Sequence, residues 1–228
     1  MSTADNKGID ALIPGSKIYF IGIGGISMSG LALLAKGYGF AVGGSDMHPS
    51  ERTEMLNSKG ITIYNSQIAS NIEDFAPDYI VKTAAILPHN PEVAEALNRG
   101  LKIFDRSEFL GLITDSYSHV INISGTHGKT TTTSMTSLMM IEAGKDPTVH
   151  IGAPFDAFGG NTVRLGGNRG LLISEACEFK RSFLQFRSTT AAITNIDHDH
   201  VDCYPTLDDV IDVFAEFTKK VDDDGYIV

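Results

Sequence analysis

Apolar residues along this chain fall into short runs, separated by longer stretches where they recur at helical spacing. Residues 17–22 (KIYFIG) form the first such run, and glycines follow at once. Residues 28–38 then have helical composition, 40–44 (FAVGG) make a second run, and Asp46 stands at its end. The alternation goes on with a helix over 51–59, strands over 61–64 and 78–82 (DYIVK), a proline-opened helix over 91–99 and a strand over 101–104. Strands spaced by helices of this length predict a parallel sheet covered on both faces.

A second unit begins within 107–118. Its elements are a strand over 120–124 (VINIS), a loop, a helix over 130–143, and buried-type strands over 171–175 (LLISE) and 190–195 (TAAITN). Residues 207–219 carry Val210, Val213, Phe214 and Phe217 on one helical face. Residues 226–228 read as the beginning of a strand, and a doubly wound sheet that stops there predicts a truncated piece of a longer protein. Neither internal repeats nor low-complexity segments occur.

Composition narrows the function classes. The 228 residues are 42% hydrophobic and 20% charged, which supplies an ordinary soluble core. A net charge of −10 leaves no diffuse basic surface, so neither nucleic acid nor an anionic membrane is expected as a partner. A phosphate-bearing ligand must then be gripped by backbone amides and a few placed cations. Cys177 and Cys203 show no pairing pattern, which fits a reducing compartment. The polar start lacks a hydrophobic signal core, and no apolar run reaches the roughly 18 residues of a membrane span. The expected location is the cytoplasm, without membrane insertion.

Two loops carry candidate chemistry. In the first, Gly22, Gly24, Gly25, Ile26 and Ser27 follow a strand and open a helix. Glycines there allow a tight turn and let a pyrophosphate approach the amides at the helix N-terminus. Asp46, at the end of the next strand, is placed to bond a ribose or a base. Taken alone, the loop reads as a dinucleotide fingerprint and admits a nicotinamide oxidoreductase, or merely a turn that packs helix on strand. Ser27 occupies the third glycine position, which weakens the fingerprint.

The second loop runs Gly125-Thr126-His127-Gly128-Lys129-Thr130-Thr131, between a strand and a helix. Its tail is the end of a phosphate-binding loop, although its first glycine comes only three residues before Gly128. Lys129 would reach the β- and γ-phosphates, the Thr130 hydroxyl would take a magnesium position, and amides of residues 126–130 would cradle the phosphates. Glu175 ends the LLISE strand with Glu178 close behind, and 194–202 (TNIDHDHVD) closes another. In open α/β sheets ligands bind beyond the carboxyl ends of strands, so the three segments converge there. Magnesium favours such oxygen ligands and bridges phosphates. A zinc-hydrolase reading of His198, His200 and Asp202 needs histidines further on, but Cys203 follows Asp202 and no histidine lies beyond residue 200.

The segments GIGGISMSGLA (22–32), GSDM (44–47), NPE (90–92), DRSEFL (105–110), ISGTHGKTTTT (123–133), EACE (175–178) and TNIDHDHVDCY (194–204) resemble the muramyl (Mur) ligases of peptidoglycan synthesis. The resemblance covers nearly all of residues 17–228, and the GIGGISMSG opening favours the alanine-adding branch. It implies an α/β chain: an extension over 1–16, a Rossmann-like UDP-sugar domain over 17–106, and a P-loop-type central domain over 107–228 that is incomplete. Gly22, Gly24, Gly25, Ile26 and Ser27 would hold the UDP diphosphate and Asp46 the uracil, with Thr83, Ala84 and Arg106 lining the same site. ATP and Mg2+ would sit on Gly125, Thr126, His127, Gly128, Lys129, Thr130 and Thr131. The carboxylate of UDP-N-acetylmuramate would attack the γ-phosphate, and the amine of L-alanine would displace phosphate from the acyl phosphate. Lys129 would stabilise the transferring phosphoryl group. Thr130 and Glu175 would bind a first magnesium and His200 a second, while His127 orients the carboxylate or merely packs the loop.

Departures from the family pattern are Ser27 for a glycine, Ser66-Gln67 for Gly-His, His150 for asparagine, and Phe179-Lys180-Arg181 for an acidic run. The C-terminal domain of relatives is absent from these residues, so the chain alone is expected not to complete ligation. A ligase that recycles a murein tripeptide and a non-catalytic UDP-sugar-binding module remain as alternatives.

Overall fold

A run of β-branched and aromatic residues forms β1 (Lys17–Ile21), and its side chains from Ile18 to Ile21 are all buried. Burial without alternation is what a strand covered on both faces requires. The computed structural model describes residues 8–167 and 169–228; residues 1–7 of the expected N-terminal extension lie outside them. Two compact units result, Asp10–Phe109 and Leu110–Val228, the second taking in the segment that ends at Ile9.

In the first unit β1 leads through α1 (Ile26–Gly37) to β2 (Ala41–Ser45), then α2 (Glu51–Ser58) and β3 (Thr62–Tyr64). There follow α3 (Ala69–Phe75), β4 (Tyr79–Lys82), α4 (Pro91–Asn98) and β5 (Lys102–Asp105). The sheet order is β3-β2-β1-β4-β5 and every pairing is parallel. The chain winds one way from β1 to β3, then crosses to the other side of β1 at β4. That reversal leaves a crevice beyond the carboxyl ends of β1 and β4. Ser50 and Thr53 close a reciprocal capping box on α2, and Asn90 caps α4 with Pro91 in its first turn. Tyr19, Ile21, Ile72, Ile80, Val93 and Ala96 form one buried cluster.

The unit boundary falls inside α5 (Arg106–Asp115), a helix that the sequence pattern did not announce. Next come β6 (His119–Ser124), α6 (Lys129–Glu142), β7 (Thr148–Phe155), β8 (Asn161–Arg164) and β9 (Leu171–Glu175). A tight helical segment over Phe179–Gln185 leads on to β10 (Ser188–Ile193), α7 (Leu207–Thr218) and β11 (Val221–Ile227). The order is β11-β10-β6-β9-β7-β8, parallel throughout except for the β7–β8 pair at one edge. The α7 face is as expected, with Val210, Val213, Phe214 and Phe217 buried. Phe217 stacks on Phe183 with ring centroids 4.5 Å apart, and Phe214 meets the same ring edge-on at 5.3 Å. Aromatic contacts of this kind add ~0.5–1.5 kcal/mol to simple burial.

Candidate functional site

In the first unit, every residue expected to hold a UDP-sugar lies at the carboxyl edge of the sheet. The glycine loop after β1 is tied to each neighbouring strand end. The Ser45 carbonyl accepts from the Gly22 and Ile23 amides at 2.8 and 3.0 Å. Asp46 Oδ2 accepts from the Gly24 amide at 2.9 Å, and Arg52 Nε donates to the Gly24 carbonyl at 2.8 Å. A side chain on Gly24 would place its Cβ 2.7 Å from Asp46 Oδ2, so the Asp46 carboxylate would have to move. Gly22 faces Thr83, next to Ala84, at the end of β4, and Arg106 Nη1 donates to Ser27 Oγ at 3.2 Å. Ser27, a departure from the glycine pattern, thus anchors the arginine. The segment 66–67 is also engaged: Asn71 Nδ2 donates to the Ser66 carbonyl and Asn90 Nδ2 to Gln67 Oε1, both at 2.7 Å.

In the second unit the phosphate loop bridges β6 and α6. Gly125 adopts φ +132° and Gly128 φ +84°, conformations that favour glycine. The Thr126 and His127 amides are taken by the Asn195 carbonyl and Asn195 Oδ1, at 3.0 and 2.9 Å. The expectation that amides 126–130 all face a phosphate is corrected accordingly: the amides at the start of α6 remain, with no side-chain cap. A helix start leaves such donors unpaired and favours an anion.

Two carboxylates organise the side chains there. Thr130 Oγ1 donates to Glu175 Oε2 at 2.9 Å, and the same oxygen accepts from the Gly152 amide at 2.7 Å. Glu178 serves the other half. Lys129 Nζ lies 3.1 and 3.0 Å from its Oε1 and Oε2, and His200 Nε2 lies 3.7 Å from Oε1. Two groups therefore meet at adjacent residues of α6: Thr130 with Glu175, and Lys129 with His200 through Glu178, an acid that sequence reasoning mentioned but did not assign. His200 itself has φ +51° and packs on the Phe179 ring.

His127 stands apart, largely exposed, its Nε2 3.9 Å from Asp197 Oδ2. The Asp199 carboxyl is held below its usual range, first by the His200 amide and then by the charges of His200, His127 and Lys129. His198 Nε2 lies 3.0 Å from the Tyr204 carbonyl within its own loop. Among the described residues no three His, Cys, Asp or Glu side chains are grouped to hold a metal ion by themselves. The residues do fit a magnesium-bound polyphosphate. Buried Ser124 Oγ, directly before the loop, has no hydrogen-bond partner among the described residues.

His150, expected as a departure, is buried on β7 with Nδ1 3.4 Å from Ser174 Oγ. Neither Cys177 nor Cys203 is in a disulfide among the described residues. Among the described residues no helix is long and apolar enough to cross a membrane.

Residues 17–118 match the family model described as Mur ligase family, catalytic domain, and residues 123–228 match the Mur ligase middle domain. A UDP-N-acetylmuramate–L-alanine ligase of Acetivibrio thermocellus is 46% identical over 92% of this chain and 44% of its own length. One of Clostridium botulinum is 49% identical over 92% of this chain and 45% of its own. The chain thus spans less than half the length of these relatives. Among solved structures, the UDP-N-acetylmuramate–alanine ligase of Thermotoga maritima superposes with a TM-score of 0.80 at 31% identity. That match covers 92% of this chain and 48% of the other. The UDP-N-acetylmuramate:L-alanyl-gamma-D-glutamyl-meso-diaminopimelate ligase of Neisseria meningitides gives 0.83 at 29% identity, over 93% of this chain and 70% of the other.

Proposed function

The chain belongs to the Mur ligase family, and on that premise we propose that it serves an ATP-dependent ligase joining L-alanine to the carboxylate of UDP-N-acetylmuramate. The observation that carries the reading is the placing of two groups, Thr130 with Glu175 and Lys129 with His200 through Glu178, beside the uncapped start of α6.

The first unit would take the UDP-sugar. Gly22, Gly24, Gly25, Ile26 and Ser27 admit the diphosphate, Asp46 and Arg106 fix the loop and meet the nucleotide, and Thr83 and Ala84 close the crevice from β4. The second unit would take ATP on 125–131. Lys129 neutralises charge on the transferring phosphoryl group, and Thr130, Glu175 and His200 hold Mg2+ beside it. Magnesium at Thr130, Glu175 and His200 would supply positive charge beside the phosphates, where the sugar carboxylate would attack the γ-phosphate. The products are ADP and an acyl phosphate, from which the alanine amine releases phosphate. Such a reaction belongs in the cytoplasm, where both nucleotides are made available. Over the part of its relatives' length that it spans, the chain carries the two nucleotide loops, and we expect it to bind rather than ligate by itself.

A second reading, a ligase that takes a ready-made murein tripeptide, is favoured by the likeness to the Neisseria structure. Both readings share the UDP-sugar and ATP sites. Calorimetric titration with UDP-N-acetylmuramate, then with ATP and Mg2+, tests them. Lys129→Ala should abolish the ATP heat and leave the UDP-sugar heat intact. A chain that binds neither ligand, or an Ala variant that still binds ATP as tightly, refutes the proposal. UDP-sugar binding without ATP binding in the unmodified chain would point to a non-catalytic module.

A further inference from the structure

The Lys129 ammonium has three protons to donate and all three have acceptors: the Gly125 carbonyl at 2.6 Å, the Thr126 carbonyl at 3.1 Å, and Glu178. Only one of these acceptors is an anion. With 2% of its side chain exposed against 12% for Lys129, the Glu178 carboxylate is deeper than the lysine it faces. It is also fixed from behind. Its backbone carbonyl accepts from the Tyr204 hydroxyl at 2.5 Å and from the Arg181 amide at 2.8 Å. Left-handed Lys180 and Arg181 turn the chain immediately after it, so the carboxylate is aimed by the backbone.

We propose that Glu178 is an internal stand-in for phosphate: it holds the Lys129 ammonium inside the loop, and an arriving triphosphate must displace it. This rests on the reading of 125–131 as an ATP loop. A triphosphate brings its oxygens to the same ammonium, and hence beside a carboxylate already within 3.1 Å of that ammonium. Two anions that crowd one ammonium in a partly buried site repel each other, and burial limits screening by salt. Glu178 therefore acts as a positioning residue for Lys129, and it opposes the entry of nucleotide that comes without a divalent cation.

The test is calorimetry of the 228-residue chain with ATP in EDTA, with AMP as the control ligand. Glu178→Gln keeps the shape and removes the charge. It should tighten ATP about tenfold, the equivalent of ~1.4 kcal/mol, and leave AMP, which has no β- or γ-phosphate, unchanged. A merely structural role would weaken both nucleotides or neither. ATP binding equal to or weaker than that of the unmodified chain overturns the proposal. Should the Gln variant fail to fold by circular dichroism, Glu178→Asp carries the test. Its carboxylate is drawn back by one methylene, so it should also bind ATP more tightly than the parent, and equal or weaker binding overturns the idea. If the unmodified chain binds no ATP at all, the nucleotide reading of the loop fails instead.

Discussion

Glu92 is fully buried, yet it has no cation at ion-pair distance among the described residues. Three donors replace one. Tyr19 Oη and Asn71 Nδ2 reach Oε1, each at 2.7 Å, and Ser45 Oγ reaches Oε2 at 2.6 Å. The residue also sits in the first turn of α4, where the helix dipole favours negative charge. Replacing Glu92 with Leu leaves a phenol, a hydroxyl and an amide N–H buried without acceptors. At ~1–3 kcal/mol for each orphaned donor, less what the leucine gains by burial, the loss should be about 3–5 kcal/mol. That is a large part of the ~5–15 kcal/mol typical of a domain.

The carboxyl also gives a pH signature. Burial pushes the Glu92 pKa up, against the smaller opposing effect of its donors. For an acid raised in the folded state, the folded form binds more protons than the unfolded form between the two pKa values. Its contribution to stability therefore falls as pH rises from the ordinary glutamate value, 4.5, through the raised one. Glu92→Gln cannot titrate, so its deficit against the unmodified chain should shrink as pH rises. The chain has no tryptophan, so urea unfolding is best followed by circular dichroism, from about pH 5 to about pH 8. A Leu variant within ~1 kcal/mol of the parent, or a Gln deficit that does not change with pH, refutes the reasoning. Because the Ser45 carbonyl holds the glycine loop, the Leu variant should also weaken UDP-sugar binding.

Gly125→Ala places a Cβ 2.1 Å from Thr194 Oγ1 at a φ of +132°, so the loop must shift. ATP binding should be lost while UDP-sugar binding persists, and calorimetry with both ligands checks this. Phe217→Ala removes the stacked partner of Phe183 from a fully buried position. It should cost about 3–5 kcal/mol in urea unfolding, and a loss under ~1 kcal/mol would count against the packing argument.

Strands whose residues are buried on both faces were legible because they read as uninterrupted apolar runs; β1, β6 and β9 fall where the pattern put them. The α7 face was equally plain, since four large residues mark one stripe. The elements that escaped notice lack such marks. In β7 (TVHIGAPF) a glycine and a proline break the run, α5 (RSEFLGLITD) carries a glycine and β-branched residues, and α3 is seven residues long. The loop that we propose for ATP was conspicuous for another reason: it is seven consecutive residues, from Gly125 to Thr131, between a strand and a helix.

Carboxylates are harder to read, because their roles are set by groups that the chain brings from afar. Glu175 receives Thr130 from 45 positions away, Glu178 receives Lys129 from 49, and Glu92 receives Tyr19 from 73. In the sequence all three are acids near the end of a strand or the start of a helix, where a solvated side chain is the ordinary outcome. What separates them is the donor set. Glu175 accepts a hydroxyl and an amide, Glu178 accepts an ammonium, and Glu92 accepts only neutral donors in a closed site. The first arrangement suits metal binding, the second an exchange of anions, and the third a fixed joint beneath the glycine loop. The same side chain therefore does three different things, and each is decided by sheet topology.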